Sequence, residues 1–259
     1  MSNTTPGGDV LVSVAIEPPV ATLTLNRPDR LNALTAEMVD ELIGALADLE
    51  QRADVRAVIV AGAGRAFCAG ADVVSGGRQL QIGGRYTFFN ILEDHPKPTV
   101  AAIHGACIGG GLELALCCDL RVAAADAKLG FGEVKLGVIP AGGGTARLPR
   151  LVGPAKAKEL LYFGDHISGA EAADLGIVNR AVPADDVLGE ARALAGRLAA
   201  GAPLAISAIK RSVNAGMQMG LVEALNYETA VAAEVRRTAD ALEGITAFAE
   251  KRVPVWRGE

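Results

Sequence analysis

Apolar positions follow two rhythms along this chain. Through roughly the first half they fall in short runs closed by Gly or Pro, the pattern of buried strands. Residues 11–17 and 20–25 read as two paired strands separated by Pro18-Pro19. Asn26-Arg27-Pro28-Asp29-Arg30 breaks the pattern. Thr35 is placed to cap a helix that runs to about residue 53, with Met38, Leu42, Ala45 and Leu49 on one face. Residues 57–61, 100–104, 120–124 and 128–131 predict further strands. Residues 72–92, with Gly76-Gly77 and Gly83-Gly84, read as a mobile loop–helix region that its own pattern specifies poorly. From Gly142 onward the rhythm turns helical. The candidates are 145–151, 155–162, 168–175, 184–200, 203–215, 221–238 and 240–251, and Ser168 with Glu171 has the form of a capping box. The prediction is an α/β core of residues 1–195 followed by a helical region, 196–259, with Ala200-Gly201-Ala202-Pro203 as the joint.

One stretch departs from ordinary amphipathic patterning. Strand-like residues lead into Gly109-Gly110-Gly111, and Leu112-Glu113-Leu114-Ala115-Leu116 follows. A helix with no polar face is buried on all sides. Its one carboxylate, Glu113, is then costly unless it is hydrogen-bonded or used. The glycines leave helix-terminal N–H groups open to close approach by a ligand oxygen. Bare donors beside a buried acid suggest oxyanion stabilisation with proton transfer. The simpler alternative is that Glu113 only complements the helix dipole.

Composition narrows the class. Half of the 259 residues are hydrophobic and 21% are charged, which gives a soluble protein with a sizeable core. Aromatics are only 4%, so small aliphatic side chains must fill that core. A net charge of −5 argues against a general nucleic-acid binder or a basic membrane-surface protein. Residues 1–9 lack the basic-then-apolar pattern of a secretory signal, and no apolar run is long enough to span a bilayer. Cys68, Cys107, Cys117 and Cys118 lack zinc-type spacing and read as buried free thiols, so a cytoplasmic location is expected.

Two further segments carry candidate chemistry. Ala69-Gly70-Ala71-Asp72 is a small-residue loop after a buried strand. One of its N–H groups, with one near Gly110, could make a two-donor pocket for a single carbonyl oxygen. Taken alone, the loop is an ordinary strand-closing turn. Glu133 sits among glycines and apolar residues, either as a second working acid or as an exposed partner of Lys135. Gly62-Ala63-Gly64 fails as a dinucleotide loop because Phe67 stands where a small residue is required. The three histidines have no ligand spacing, and His104 reads as a core histidine, so no metal site is expected.

These motifs, in this order, resemble the crotonase superfamily, specifically its enoyl-CoA hydratases/isomerases. The likeness runs from Asn26-Arg27-Pro28 and Leu31-Asn32-Ala33-Leu34, through the two glycine motifs and Gly137-Val138-Ile139-Pro140, to Phe248-Ala249-Glu250-Lys251-Arg252. It implies a spiral of ββα units with a helical trimerisation region, assembled as a homotrimer or a dimer of trimers. It implies an acyl-CoA thioester as ligand, its carbonyl oxygen accepting from the N–H groups of Ala71 and Gly110. Glu113 and Glu133 fill both catalytic acid positions of hydratases, which implies syn addition of water to a 2-enoyl-CoA. Arg27, Leu31, Ala69, Gly70 and Asp72 would line the substrate, and Phe248 and Lys251 would approach the CoA nucleotide. No metal or redox cofactor is expected, because coenzyme A is part of the substrate.

Two positions depart from the family pattern. Asp29 stands where lysine is common, and Ala141 where glycine is common. Residues 73–92, with Phe88 and Phe89, would wall the acyl pocket. The alternatives are a Δ3,Δ2-enoyl-CoA isomerase or another crotonase-type enzyme, or a non-catalytic binding relative. RNA binding is disfavoured, because the helix after Thr35 carries Glu37, Asp40, Glu41, Asp48 and Glu50 against Arg52.

Overall fold

The computed structural model describes residues 10–72 and 88–259. Strands β1 (Val12–Glu17) and β2 (Val20–Leu25) form an antiparallel hairpin across a cis Pro18-Pro19 bond. Helix α1 (Ala36–Gln51) follows, and the Thr35 side chain accepts from the Met38 N–H as a cap. Strand β3 (Ala57–Gly62) pairs in parallel with β2. After helix α2 (Phe88–Glu93) come β4 (Thr99–Ile103), β5 (Ala106–Ile108), helix α3 (Gly110–Cys117), β6 (Leu120–Ala124) and β7 (Lys128–Gly130).

The strands are shared between two sheets. The larger has the order β1-β2-β3-β4-β6-β9, where β9 is Arg180–Val182, and is parallel from β2 onward. The smaller has the order β5-β7-β8, where β8 is Ile167–Ser168. Successive turns of chain therefore give one strand to each sheet before a helix returns, as from β4 to β5 to α3. A bridge between Cys68 and Cys107 joins the loop after β3 to the smaller sheet. Strands β8 and β9 lie in the region whose pattern reads as wholly helical. With two and three residues they are too short to carry an alternation of their own.

Helix α3 is buried at all eight positions. Its far end is closed by Arg121, a buried guanidinium donating to Cys118 O at 2.6 Å and Ile177 O at 2.7 Å. A cation there satisfies terminal carbonyls and complements the helix dipole. Helices α4 (Gly144–Val152), α5 (Pro154–Phe163) and α6 (Gly169–Asp174) follow, with the Ser168–Glu171 capping box formed. Helix α7 (Val187–Ala199) packs on β3, β4 and β6 along its length. The core thus extends past residue 195, and the chain leaves it at residues 200–202.

Three helices complete the chain: α8 (Pro203–Gly216), α9 (Leu221–Val235) and α10 (Ala239–Glu250). Lys210, its side chain only 7% exposed, fastens α8 to the core by an ion pair with Asp119 at 2.9 Å. Buried Asp240 accepts from the N–H groups of Arg257 and Gly258, folding the last residues back along α10. Among the described residues, no helix is long and apolar enough to cross a membrane.

Candidate active site

The site forms where the loop after β3 meets the start of α3. The Leu34 N–H donates to Gly70 O at 2.8 Å, the Asp72 N–H to Leu34 O at 2.9 Å and the Ala69 N–H to Leu31 O at 3.0 Å. These bonds use one edge of residues 69–72 and leave the Ala71 N–H on the other edge, facing α3. A Cβ built on Gly110 would sit 3.4 Å from Ala71 N, and one built on Gly70 would sit 3.4 Å from Gly110 N. The two peptide N–H groups are therefore neighbours, and neither has a protein acceptor among the described residues. Close backbone approach is what glycine permits here: a Cβ on Gly111 would run into the Cys68 carbonyl.

Asn32, absent from the residues that pattern alone singles out, locks this loop. It is fully buried with φ of 55°. Its Oδ1 accepts from the Arg27 N–H at 2.9 Å, and its Nδ2 donates to Ala63 O at 2.8 Å and Ala66 O at 2.7 Å. Arg27 and Asp72, expected to line the substrate, form an ion pair at 3.0 Å that ties the turn to the loop. Asn32→Ala is expected to orphan three backbone groups, one buried and two part-buried, costing about 3 kcal/mol. Thermal unfolding checks this, with a fall of several degrees as the expected result.

Both predicted acids reach the same place. Glu113, on the first turn of α3, is 2% exposed, and its Oε1 accepts from the Gly144 N–H at 2.8 Å. Glu133 begins a short 3-10 turn, Glu133–Leu136, and its Oε2 is buried without a hydrogen-bond partner. Lys135 pairs with Asp165 rather than with Glu133. Gly109, at φ of 55°, brings the two elements together, since a Cβ there would lie 2.8 Å from Glu133 Oε1.

Burial raises both carboxyls. Glu113 is pushed up to about 7, chiefly by desolvation; the Gly144 N–H pulls it back and the charge of Glu133 adds to the rise. Glu133 is also raised by desolvation. The atoms each carboxyl presents distinguish their settings. Glu113 holds a donated N–H, which suits a carboxylate, whereas Glu133 offers an unsatisfied oxygen, which suits an O–H awaiting an acceptor.

Other expected residues lie elsewhere. Phe248 is 88% exposed on α10, and Lys251 is the left-handed cap of that helix. The cleft beside Phe248 is lined by Ile245, Gly244 and Trp256 and by no residue of the acid pair or the donor loops. His104 is half-buried and bonds to Gly64 O at 2.9 Å, while His95 is the histidine in the core. Of the expected acyl wall, residues 73–87 lie outside the described residues. Phe88 and Phe89 lie on α2 and are buried, their rings 4.0 Å apart.

A spiral of paired strands and helices, with two N–H groups lacking a protein acceptor among the described residues and two partly or fully buried acids beside the same helix start, is the arrangement of the crotonase class. The enoyl-CoA hydratase/isomerase family profile matches residues 15–259. The chain is 40% identical to the crotonyl-CoA hydratase of Syntrophomonas wolfei, over 91% of this chain and 94% of that one. It is 38% identical to the short-chain-enoyl-CoA hydratase of Clostridium acetobutylicum, over 90% and 92%. The crystal structure of an enoyl-CoA hydratase from Bacillus anthracis superposes with a TM-score of 0.90 at 38% identity, covering 96% of this chain and all of that one. That from Mycobacterium tuberculosis superposes with the same score at 35% identity, covering 96% and 99%. The protein belongs to the enoyl-CoA hydratase/isomerase family.

Proposed function

We propose that the protein is an enoyl-CoA hydratase that adds water syn across the C2–C3 bond of a 2-enoyl-CoA, and removes it in reverse. The observation that carries this reading is a pair of acids in unlike settings, Glu113 buried and Glu133 half-buried, beside two N–H groups without a protein acceptor among the described residues. An isomerase moves one proton along the substrate and needs one such acid. Hydration needs two, one to take a proton from water and one to deliver a proton to carbon.

The thioester oxygen accepts from the Ala71 and Gly110 N–H groups, each donor contributing roughly 3–4 kcal/mol as charge develops there. Glu113, as carboxylate, orients a water and takes its proton while the water oxygen bonds to C3. The C2–C3 π electrons move toward the thioester, giving an enolate. Protonated Glu133 delivers its proton to C2, and the proton on Glu113 passes to Glu133 to restore the starting state. No step calls on a metal or redox group.

The same reading takes the assembly to be a homotrimer or dimer of trimers, and the location cytoplasmic. Leu136, Val138, Ile139, Tyr162 and Phe163 near Glu133, and Leu221, Val222, Ile245 and Phe248 on the last helices, are exposed apolar residues that association would cover. Phe248 and Lys251 would then reach CoA across a subunit boundary. Four buried thiols suit a reducing compartment.

The test is turnover of crotonyl-CoA and longer 2-enoyl-CoA esters, followed by loss of the conjugated-enoyl absorbance. Hydration of at least one chain length is expected. Turnover of 3-enoyl esters alone would replace this reading with the isomerase.

A further inference from the structure

Glu113 is held by a loop, and the loop is held by a side chain outside the acid pair. Residues 142–144 precede and begin α4, and supply the Gly144 N–H to Glu113. Arg147, one turn on, folds back over them. Its NH1 donates to Gly142 O at 3.0 Å. Its Nε and NH2 donate to the two Glu93 carboxylate oxygens at 2.9 and 2.6 Å, and NH2 also to Asn90 Oδ1 at 2.9 Å. Glu93 and Asn90 lie on α2, and the Asn214 Nδ2 of α8 donates to Glu93 O at 3.1 Å. The fork is largely buried, with the Arg147 side chain 15% exposed. Planar, two-sided contact of this kind fixes position as well as charge.

We propose that Arg147 is a positioning residue for Glu113: locked on Glu93, it holds the 142–144 loop so that the Gly144 N–H meets the Glu113 carboxylate. The inference rests on the reading of Glu113 as a working acid. Arg147 also lies within electrostatic reach of that carboxyl and favours its ionised form, which gives the clamp a readout that simple scaffolding lacks. The charged and titratable groups around Glu113 are Glu133 and Arg147, with Cys117 one turn along α3. Those around Arg147 are Glu93, Glu113 and Cys117, with Arg121 and Arg150 in the adjoining cleft. Asp94 stands near Glu93 and is itself within reach of Lys210 and Arg147.

The test is three variants with two readouts. One readout is kcat and KM for hydration. The other is the titration midpoint of the Glu113 carboxyl by isotope-edited infrared spectroscopy, its band assigned by its loss in Glu113→Gln. Arg147→Met is expected to lower kcat by about 10- to 100-fold with KM little changed, because a reacting group shifts by a fraction of an ångström. It also moves the midpoint to higher pH by about one unit, since a cation is lost. Arg147→Lys keeps the charge but cannot span Gly142, Asn90 and both Glu93 oxygens, so kcat falls while the midpoint stays. Glu93→Gln leaves Arg147 unneutralised and moves the midpoint to lower pH.

Midpoints that coincide in all three variants overturn the proposal, as does an Arg147→Met enzyme with wild-type kcat. If Arg147→Met does not fold, the unchanged midpoint with lowered kcat of Arg147→Lys and the lowered midpoint of Glu93→Gln decide. The infrared arm does not depend on turnover. Should Glu113→Gln prove fully active, the assignment of Glu113 as a working acid fails while the clamp is still tested.

Discussion

Glu113→Gln and Glu133→Gln are each expected to lower kcat for crotonyl-CoA hydration by about 10³-fold, the middle of the range for loss of one positioned acid or base. Glutamine keeps the shape and the Oε1 that accepts the Gly144 N–H, so KM should change little. The double variant should be far less impaired than the product of the two losses, because the acids act on one transition state. Deuterium uptake at C2 in heavy water separates their roles. Glu133→Gln removes the group that exchanges with C2 and should abolish uptake, whereas Glu113→Gln should retain part of it. Wild-type hydration by both variants would end the two-acid mechanism.

The second large effect is on stability, and its sign is opposite. Glu113 stands near 4.5 in the unfolded chain and about 7 in the fold. A carboxyl raised by folding binds more protons in the native state between those values. Stability therefore falls as pH rises through that window, and the full cost is present above the folded value. The displacement corresponds to about 3 kcal/mol of fold stability. Glu113→Gln should recover much of that amount at pH 8 and almost none at pH 4. Denaturant unfolding of both proteins at the two pH values checks it, the change in their difference being the quantity of interest. A difference independent of pH would mean that Glu113 is ionised in the fold at ordinary cost. The same burial that raises Glu113 toward neutral pH is thus a burden on the folded chain.

Much of this arrangement could be read from the chain. Strands β2, β3, β4 and β6 announced themselves as short apolar runs, because each is buried on at least one face. Helix α3 was legible for the opposite reason to most helices, having no polar side. The Thr35 cap and the Ser168–Glu171 box were local chemistry, and local chemistry survives in a sequence. Glu113 and the glycines before it stood out because glycine and carboxylate are improbable neighbours in an apolar core, whereas the 69–72 loop and Glu133 gained meaning only in company with that stretch. The short strands β8 and β9 were not legible, since two or three residues carry no period.

The supports of the site were hidden more deeply. Asn32 shows only as one residue of a turn motif; its three bonds reach residues up to 34 positions away. Arg147 reads as an ordinary charge on an amphipathic helix, and its partner Glu93 lies 54 positions upstream. No spacing encodes such pairs. By itself the sequence determined which residues must be buried, where the backbone must pass close, and which acids would be costly unless used. Only the tertiary structure decided which peptide edge stays unpaired at Ala71, which oxygen of Glu133 goes unsatisfied, and which arginine holds the loop on Glu113. Those are properties of distance and direction between segments far apart in the chain, and they exist only once the spiral has closed.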